Sequence, residues 1–142
     1  MSEWYNPSSD LIKQWAYDDT SFEPEQDWDI IIHDLPYENL YAQLASDNHC
    51  PKADYFLHLL YFTIGHSVRQ GVTDETTKRV NHVTCATRSH SSVLLSLFRE
   101  RVASLMKDPR VASLMKDPSS FSYDDWCGGA LASTKYGYKF NF

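Results

Sequence analysis

No apolar run in this chain is long enough to cross a bilayer. The longest, YFLHLLYFTIG at residues 55–65, is interrupted by His58 and falls well short of the roughly 20 apolar residues a spanning helix needs. The opening MSEWYNPSSDLIKQW has neither the basic stretch nor the apolar segment of an export signal. A soluble, cytoplasmic protein without membrane attachment is the expectation. Cysteine is scarce and odd in number: Cys50, Cys85 and Cys127 are widely and irregularly spaced, which argues for free thiols in a reducing compartment and against a disulfide framework. With only 5 Gly and 6 Pro, and 42% hydrophobic residues, the chain falls outside the disordered and fibrous classes. Its 142 residues suit a single domain over 1–142.

Catalytic signatures are missing as well. There is no P-loop, no Gly-rich dinucleotide turn, no Gly-x-Ser-x-Gly elbow and no His-Glu-x-x-His. His82 and Cys85 would share a helix face at i, i+3, with His90 returning toward them, but no tight Cys-x-x-Cys or His-x-x-x-His pair supports a zinc site. No metal and no cofactor is therefore expected. Cys127, in DDWCGG, has Asp124 and Asp125 beside it, and neighbouring carboxylates raise a thiol's pKa when a nucleophile needs it lowered. His33 and Asp34 are adjacent, and adjacent residues on a helix point in different directions, so they are not expected to form an oriented dyad. These absences point to a protein without a catalytic site.

Nor is there a dense Lys/Arg patch to neutralise phosphates, so nucleic acid is an unexpected partner. What the chain has is charge of the other sign, placed asymmetrically. Residues 1–54 hold 12 Asp and Glu against Lys13 and Lys52, a balance of −10; residues 55–142 hold 7 acids against 11 bases, a balance of +4, and together these give the net −6. The first 41 residues interleave those acids with Trp4, Tyr5, Trp15, Tyr17, Phe22, Trp28, Tyr37 and Tyr41. Aromatic rings supply contact area and acids supply steering. The leading expectation is a non-enzymatic protein-binding module whose acidic–aromatic face meets a basic protein partner, as an immunity or antidote protein meets a basic toxin. Asp18, Asp19, Glu23, Glu25, Asp27, Trp28 and Asp29 are the candidate contact set. The alternative is a small enzyme or ligand-binding domain with a pocket on the central helix lined by Tyr55, His58, Tyr61 and His66.

Helical periodicity dominates the pattern. SSDLIKQWAYDD offers Ser8 or Ser9 as a cap before an apolar stripe of Leu11, Ile12 and Trp15. EPEQDWDIIIHDL reads as a second helix with Pro24 near its start, stopped by Pro36. Tyr37, Leu40, Tyr41 and Leu44 fall at i, i+3, i+4 and i+7 of a third. Residues 52–70 are apolar on nearly every side, the mark of a helix surrounded by its neighbours. TDETTKRVNHVTCAT, capped at Thr73 or Asp74, and HSSVLLSLFRERVASLMKD complete an all-α, compact bundle of five to six helices. Helices joined by such short turns resemble the pairs of HEAT-like repeat modules in architecture, with no residue motif behind the likeness.

Two features stand apart. RVASLMKDP occurs twice in tandem over residues 101–118 without a substitution. Each copy is a short amphipathic unit closed by Asp-Pro, where a helix does not continue smoothly, so a duplication can be absorbed as a surface extension; two such units are too short and too few for a solenoid. In KYGYKFNF, residues 135–142, Tyr136, Tyr138, Phe140 and Phe142 alternate with smaller or polar residues, predicting an extended aromatic tail with one apolar face. Such a tail docks on its own domain or joins two copies into a homodimer.

Overall fold

A computed structural model describes residues 3–18, 23–26, 28–69 and 73–107. A single 3-10 turn, Glu3–Tyr5, precedes six helices: α1 Ser9–Ala16, α2 Trp28–Ile32, α3 Glu38–Ser46, α4 Ala53–Arg69, α5 Asp74–Arg88 and α6 Val93–Lys107. The chain is all-helical among the described residues, as the periodicity predicts. Asp19, Asp27, the second copy of the nonapeptide and the aromatic tail lie outside them.

Helix α4 is the axle of the bundle, with α3, α5 and α6 packed around it. Tyr55, Phe56, Leu57, Leu59, Leu60, Tyr61, Phe62, Ile64 and Val68 are all buried, which accounts for a helix apolar on every side. The buried hydroxyls within it are satisfied locally: Thr63 donates to the Leu59 carbonyl at 2.9 Å and Ser67 to that of Thr63 at 3.0 Å.

Local chemistry starts the helices where the sequence implies. Ser8 Oγ accepts the Leu11 N–H at 3.2 Å and caps α1. Thr73 and Thr76 exchange side-chain and backbone hydrogen bonds as a capping box at the start of α5. Ser92 Oγ accepts the Leu95 N–H at 3.3 Å at the start of α6.

Helix α2 departs from its expected length. The acid-rich run before it does not join the helix, which occupies only Trp28–Ile32. Two distant side chains set its ends. Glu23 Oε2 accepts the Asp29 N–H at 3.3 Å, satisfying a first-turn donor from outside the helix. At the other end the Ile32 carbonyl accepts the Tyr41 hydroxyl of α3 at 2.7 Å and the Leu35 N–H at 3.1 Å. Its first residue, Trp28, is 0% exposed and meets Trp15 edge-on at 4.7 Å. Trp15 in turn meets Tyr55 at 5.0 Å and Phe56 at 6.1 Å. Each such aromatic pair adds about 0.5–1.5 kcal/mol beyond the area it buries, so this cluster fastens α1 and α2 to the start of α4.

Candidate functional site

Where the 3-10 turn, α1 and the segment leading into α2 converge, they bound an open cleft of about 390 Å³. Three carboxylates line it, Glu3, Asp18 and Glu23, together with the indoles of Trp4 and Trp15. Leu11 and Gln14 of α1 and Pro24 complete its wall, and among the described residues no Lys, Arg or His lines it. Leu11, Gln14, Trp15 and Asp18 fall at i, i+3, i+4 and i+7, so one face of α1 and the residues just past its end form one side.

The opposite walls are held from α2. Trp28 Nε1–H donates to the Trp4 carbonyl at 2.9 Å, and the two indoles meet edge-on at 5.8 Å. Glu23 is fixed through Oε2, which accepts from the buried Tyr55 hydroxyl at 2.8 Å as well as from the Asp29 N–H. A carboxylate pinned in this way meets an incoming donor with little ordering left to do.

Beneath the cleft lies a buried cation. Lys52, 2% exposed, donates through Nζ to the Trp15 carbonyl at 2.6 Å and the Asp18 carbonyl at 2.5 Å. The same ammonium sits 4.4 Å from the centroid of the Trp15 ring, within cation–π range. It thereby satisfies carbonyls at the C-terminal end of α1, where a positive charge is favoured. Lys52→Met keeps the aliphatic stem and removes both bonds. The expected result is a loss of about 2 kcal/mol in urea unfolding, because hydrogen bonds to charged groups are worth roughly 1.5–3 kcal/mol.

The candidate contact set divides. Asp18 and Glu23 come together in the cleft, and Glu25 is half-buried outside its lining. Trp28 and Asp29 are not surface residues: Trp28 is wholly buried and Asp29 is 6% exposed. Both act from behind, Trp28 on Trp4 and Asp29 on Glu23. Glu3, Trp4 and Gln14, absent from the candidate set, are part of the wall; the helical spacing of Leu11, Gln14 and Asp18 is a sequence signal for Gln14, and no spacing marks Glu3 or Trp4.

The residues of the alternative pocket turn to different neighbours. Tyr55, His58 and Tyr61 are buried. Tyr55 turns to Glu23 and Trp15, while Tyr61 meets Phe98 of α6 at 4.8 Å. His66 is eleven residues beyond Tyr55, about 16 Å along the helix, and faces His33 at 4.7 Å and Phe62 at 5.9 Å. Burial holds the His58 imidazole far down, at about 3, so it is neutral near pH 7.

His33 and Asp34 do approach each other, with Nδ1 and Oδ1 3.5 Å apart. The helical argument against the pair fails because both residues lie in the turn after α2. The contact joins a buried ring to a carboxylate that is 76% exposed, an arrangement without the buried orienting partner of a catalytic dyad. Cys50 is buried, its thiol against the Ala16 carbonyl at 3.5 Å, and burial pushes its pKa up, away from the thiolate. Among the described residues no group of three or more His, Cys, Asp or Glu is placed to hold a metal ion, and no helix is long and apolar enough to cross a membrane.

Comparison with protein-family models, with curated proteins and with solved structures gives no match. The functional reading therefore rests on this chain's own residues.

Proposed function

We propose that this protein is a non-enzymatic binding module whose acidic–aromatic cleft receives a basic side chain, Arg or Lys, projecting from a protein partner. The observation that carries the reading is the cleft lining: Glu3, Asp18 and Glu23 against Trp4 and Trp15, with no basic residue among them. A guanidinium presents planar donors to a carboxylate and a flat face to an indole, so it matches both components. The charge balance of −10 over residues 1–54 extends the same attraction beyond the cleft and favours fast, salt-sensitive encounter. An antidote protein held against a basic toxin is one relationship of this kind.

The test uses a defined probe. An Arg-rich peptide of about ten residues is titrated into the full chain, with a Glu-rich peptide of equal length as control. Binding is read from the Trp4 indole N–H signal and from stopped-flow rates at low and high salt. The expected result is binding of the basic peptide alone, with an on-rate that falls as salt rises. The double reversal Asp18→Lys, Glu23→Lys is expected to lower that on-rate about tenfold or more. Equal binding of both peptides, or a rate indifferent to salt and to the reversal, defeats the reading. Capture from host lysate at low and high salt then identifies the natural partner.

A further inference from the structure

The short helix α2 is pinned at both ends, and one of its pins is a pair of histidines. At its start it holds two walls of the cleft, Trp4 through the Trp28 indole N–H and Glu23 through the Asp29 N–H. Just past its end, His33 is 3% exposed and wedged edge-on against Phe62 at 5.0 Å and His66 at 4.7 Å, both on α4. Five residues make too short a helix to persist without tertiary support. Whatever dislodges His33 therefore acts on the whole of α2 and on the cleft walls it carries.

We propose that the His33–His66 pair is an acid-sensitive latch: protonation of His33 drives the turn after α2 off α4, frees Trp4, leaves Glu23 held by Tyr55 without the Asp29 N–H, and releases the basic partner from the cleft. The proposal concerns regulation of the site assigned above and rests on that reading for its last step.

The charges around His33 favour this outcome. On its own turn stands Asp34, an opposite charge 3.5 Å away, and it is largely in water, where its attraction is screened. From α4 comes the His66 ring, 4.7 Å away. From α5 comes Arg79, whose guanidinium donates to the His33 carbonyl and lies on the same turn. From α3 comes Glu38, engaged by Arg79 at 2.9 Å. A proton on His33 thus adds a buried cation next to a permanent one, while Glu38 is already paired with Arg79. The His33 imidazole is held at about 4, chiefly by burial, with Asp34 working the other way and His66 and Arg79 adding to the lowering. Once the turn is released into water, His33 regains its ordinary value of 6.5. The open form then binds the proton far better than the closed form, and acid shifts the population toward it. For those two values the open-to-closed ratio rises on the order of thirtyfold between pH 7.5 and pH 5.

The experiment follows the Trp4 and Trp28 indole N–H signals of the ¹⁵N-labelled full chain from pH 8 to pH 4.5. Far-UV circular dichroism reports the helices in parallel, and dissociation of the Arg-rich peptide is timed at each pH. His33→Phe keeps a ring against Phe62 and cannot protonate; His33→Leu is a second variant should the first pack poorly. In the wild type the Trp28 signal is expected to leave its hydrogen-bonded position while the dichroism holds, and peptide dissociation is expected to quicken by tenfold or more at pH 5. In either variant both responses are expected to shrink to less than twofold. A Trp28 signal constant to pH 4.5, a response of wild-type size in either variant, or movement only together with loss of the dichroism overturns the latch. If the Trp28 response is confined to the wild type but no peptide binds at any pH, the latch stands and the basic-partner reading falls.

Discussion

Lowering the pH from 7.5 to 4.5 is expected to remove about 5 kcal/mol of folding stability. Two histidines cause it, before the bulk of the carboxylates titrate. His58 is held at about 3 by burial alone, and His33 at about 4 by burial, with His66 and Arg79 adding to it against the pull of Asp34. Both values lie below the unfolded 6.5, so the unfolded chain binds more protons as the solution is acidified. The stabilisation from keeping these rings neutral is complete above pH 6.5 and is lost as the pH falls through that value toward 4 and then 3. At pH 4.5 each ring accounts for roughly 2–3 kcal/mol by linkage. Their sum is comparable to the whole stability of a marginal domain. Urea unfolding curves at pH 7.5, 6, 5 and 4.5 measure it directly. His58→Leu is expected to remove about half the slope between pH 6.5 and 4.5, and a slope unchanged by that substitution means that His58 is not a source of it. The two residues are separable in consequence. His58 sits in the middle of α4, where charge costs the whole core, whereas His33 lies at a turn that can leave α4 while the other helices stay folded.

The elements legible in the sequence are those whose limits are set by neighbours along the chain. Ser8 and Thr73 cap their helices from adjacent positions, and the apolar circumference of residues 52–70 follows from composition alone, so α1, α4 and α5 could be placed from the pattern. Helix α2 could not. Its ends are made by Glu23 and by Tyr41, bonds that exist only once α3 has folded back on the turn. The cleft divides in the same way. An acidic excess is a property of composition, and it marks the N-terminal third of the chain without sorting its acids. Which acids share a surface depends on where the chain turns, and a run such as EPEQDWD has no helical period to sort exposed positions from buried ones. Trp28 shows the consequence: an aromatic flanked by Asp27 and Asp29 reads as a contact residue, but it is the buried centre of the N-terminal cluster. Trp4 joins the cleft through a hydrogen bond spanning 24 residues, a relation no local window contains. His33 and Asp34 fail for the opposite reason, because the helical geometry assumed for them does not extend past Ile32.

Trp28→Phe is expected to separate what holds the molecule together from what shapes the cleft. The phenyl ring preserves most of the edge-on contact with Trp15, 4.7 Å away in the wild type, but it has no N–H to give the Trp4 carbonyl. Stability should fall by about 1–2 kcal/mol, the worth of one buried hydrogen bond plus a small change in packing. Binding of the Arg-rich peptide should fall as well, by about tenfold or more, because Trp4 loses the anchor that holds it over the cleft and must be ordered by the ligand itself. Trp28→Ala, by contrast, removes a fully buried ring with three aromatic neighbours and is expected to cost about 3–5 kcal/mol. On a domain of this size that approaches global unfolding. The discriminating pair of measurements is urea stability and peptide affinity on Trp28→Phe. If affinity drops while most of the stability remains, Trp28 positions the cleft from behind. If stability falls while affinity is unchanged, Trp28 is a core residue and nothing more, and the walls of the cleft do not depend on it.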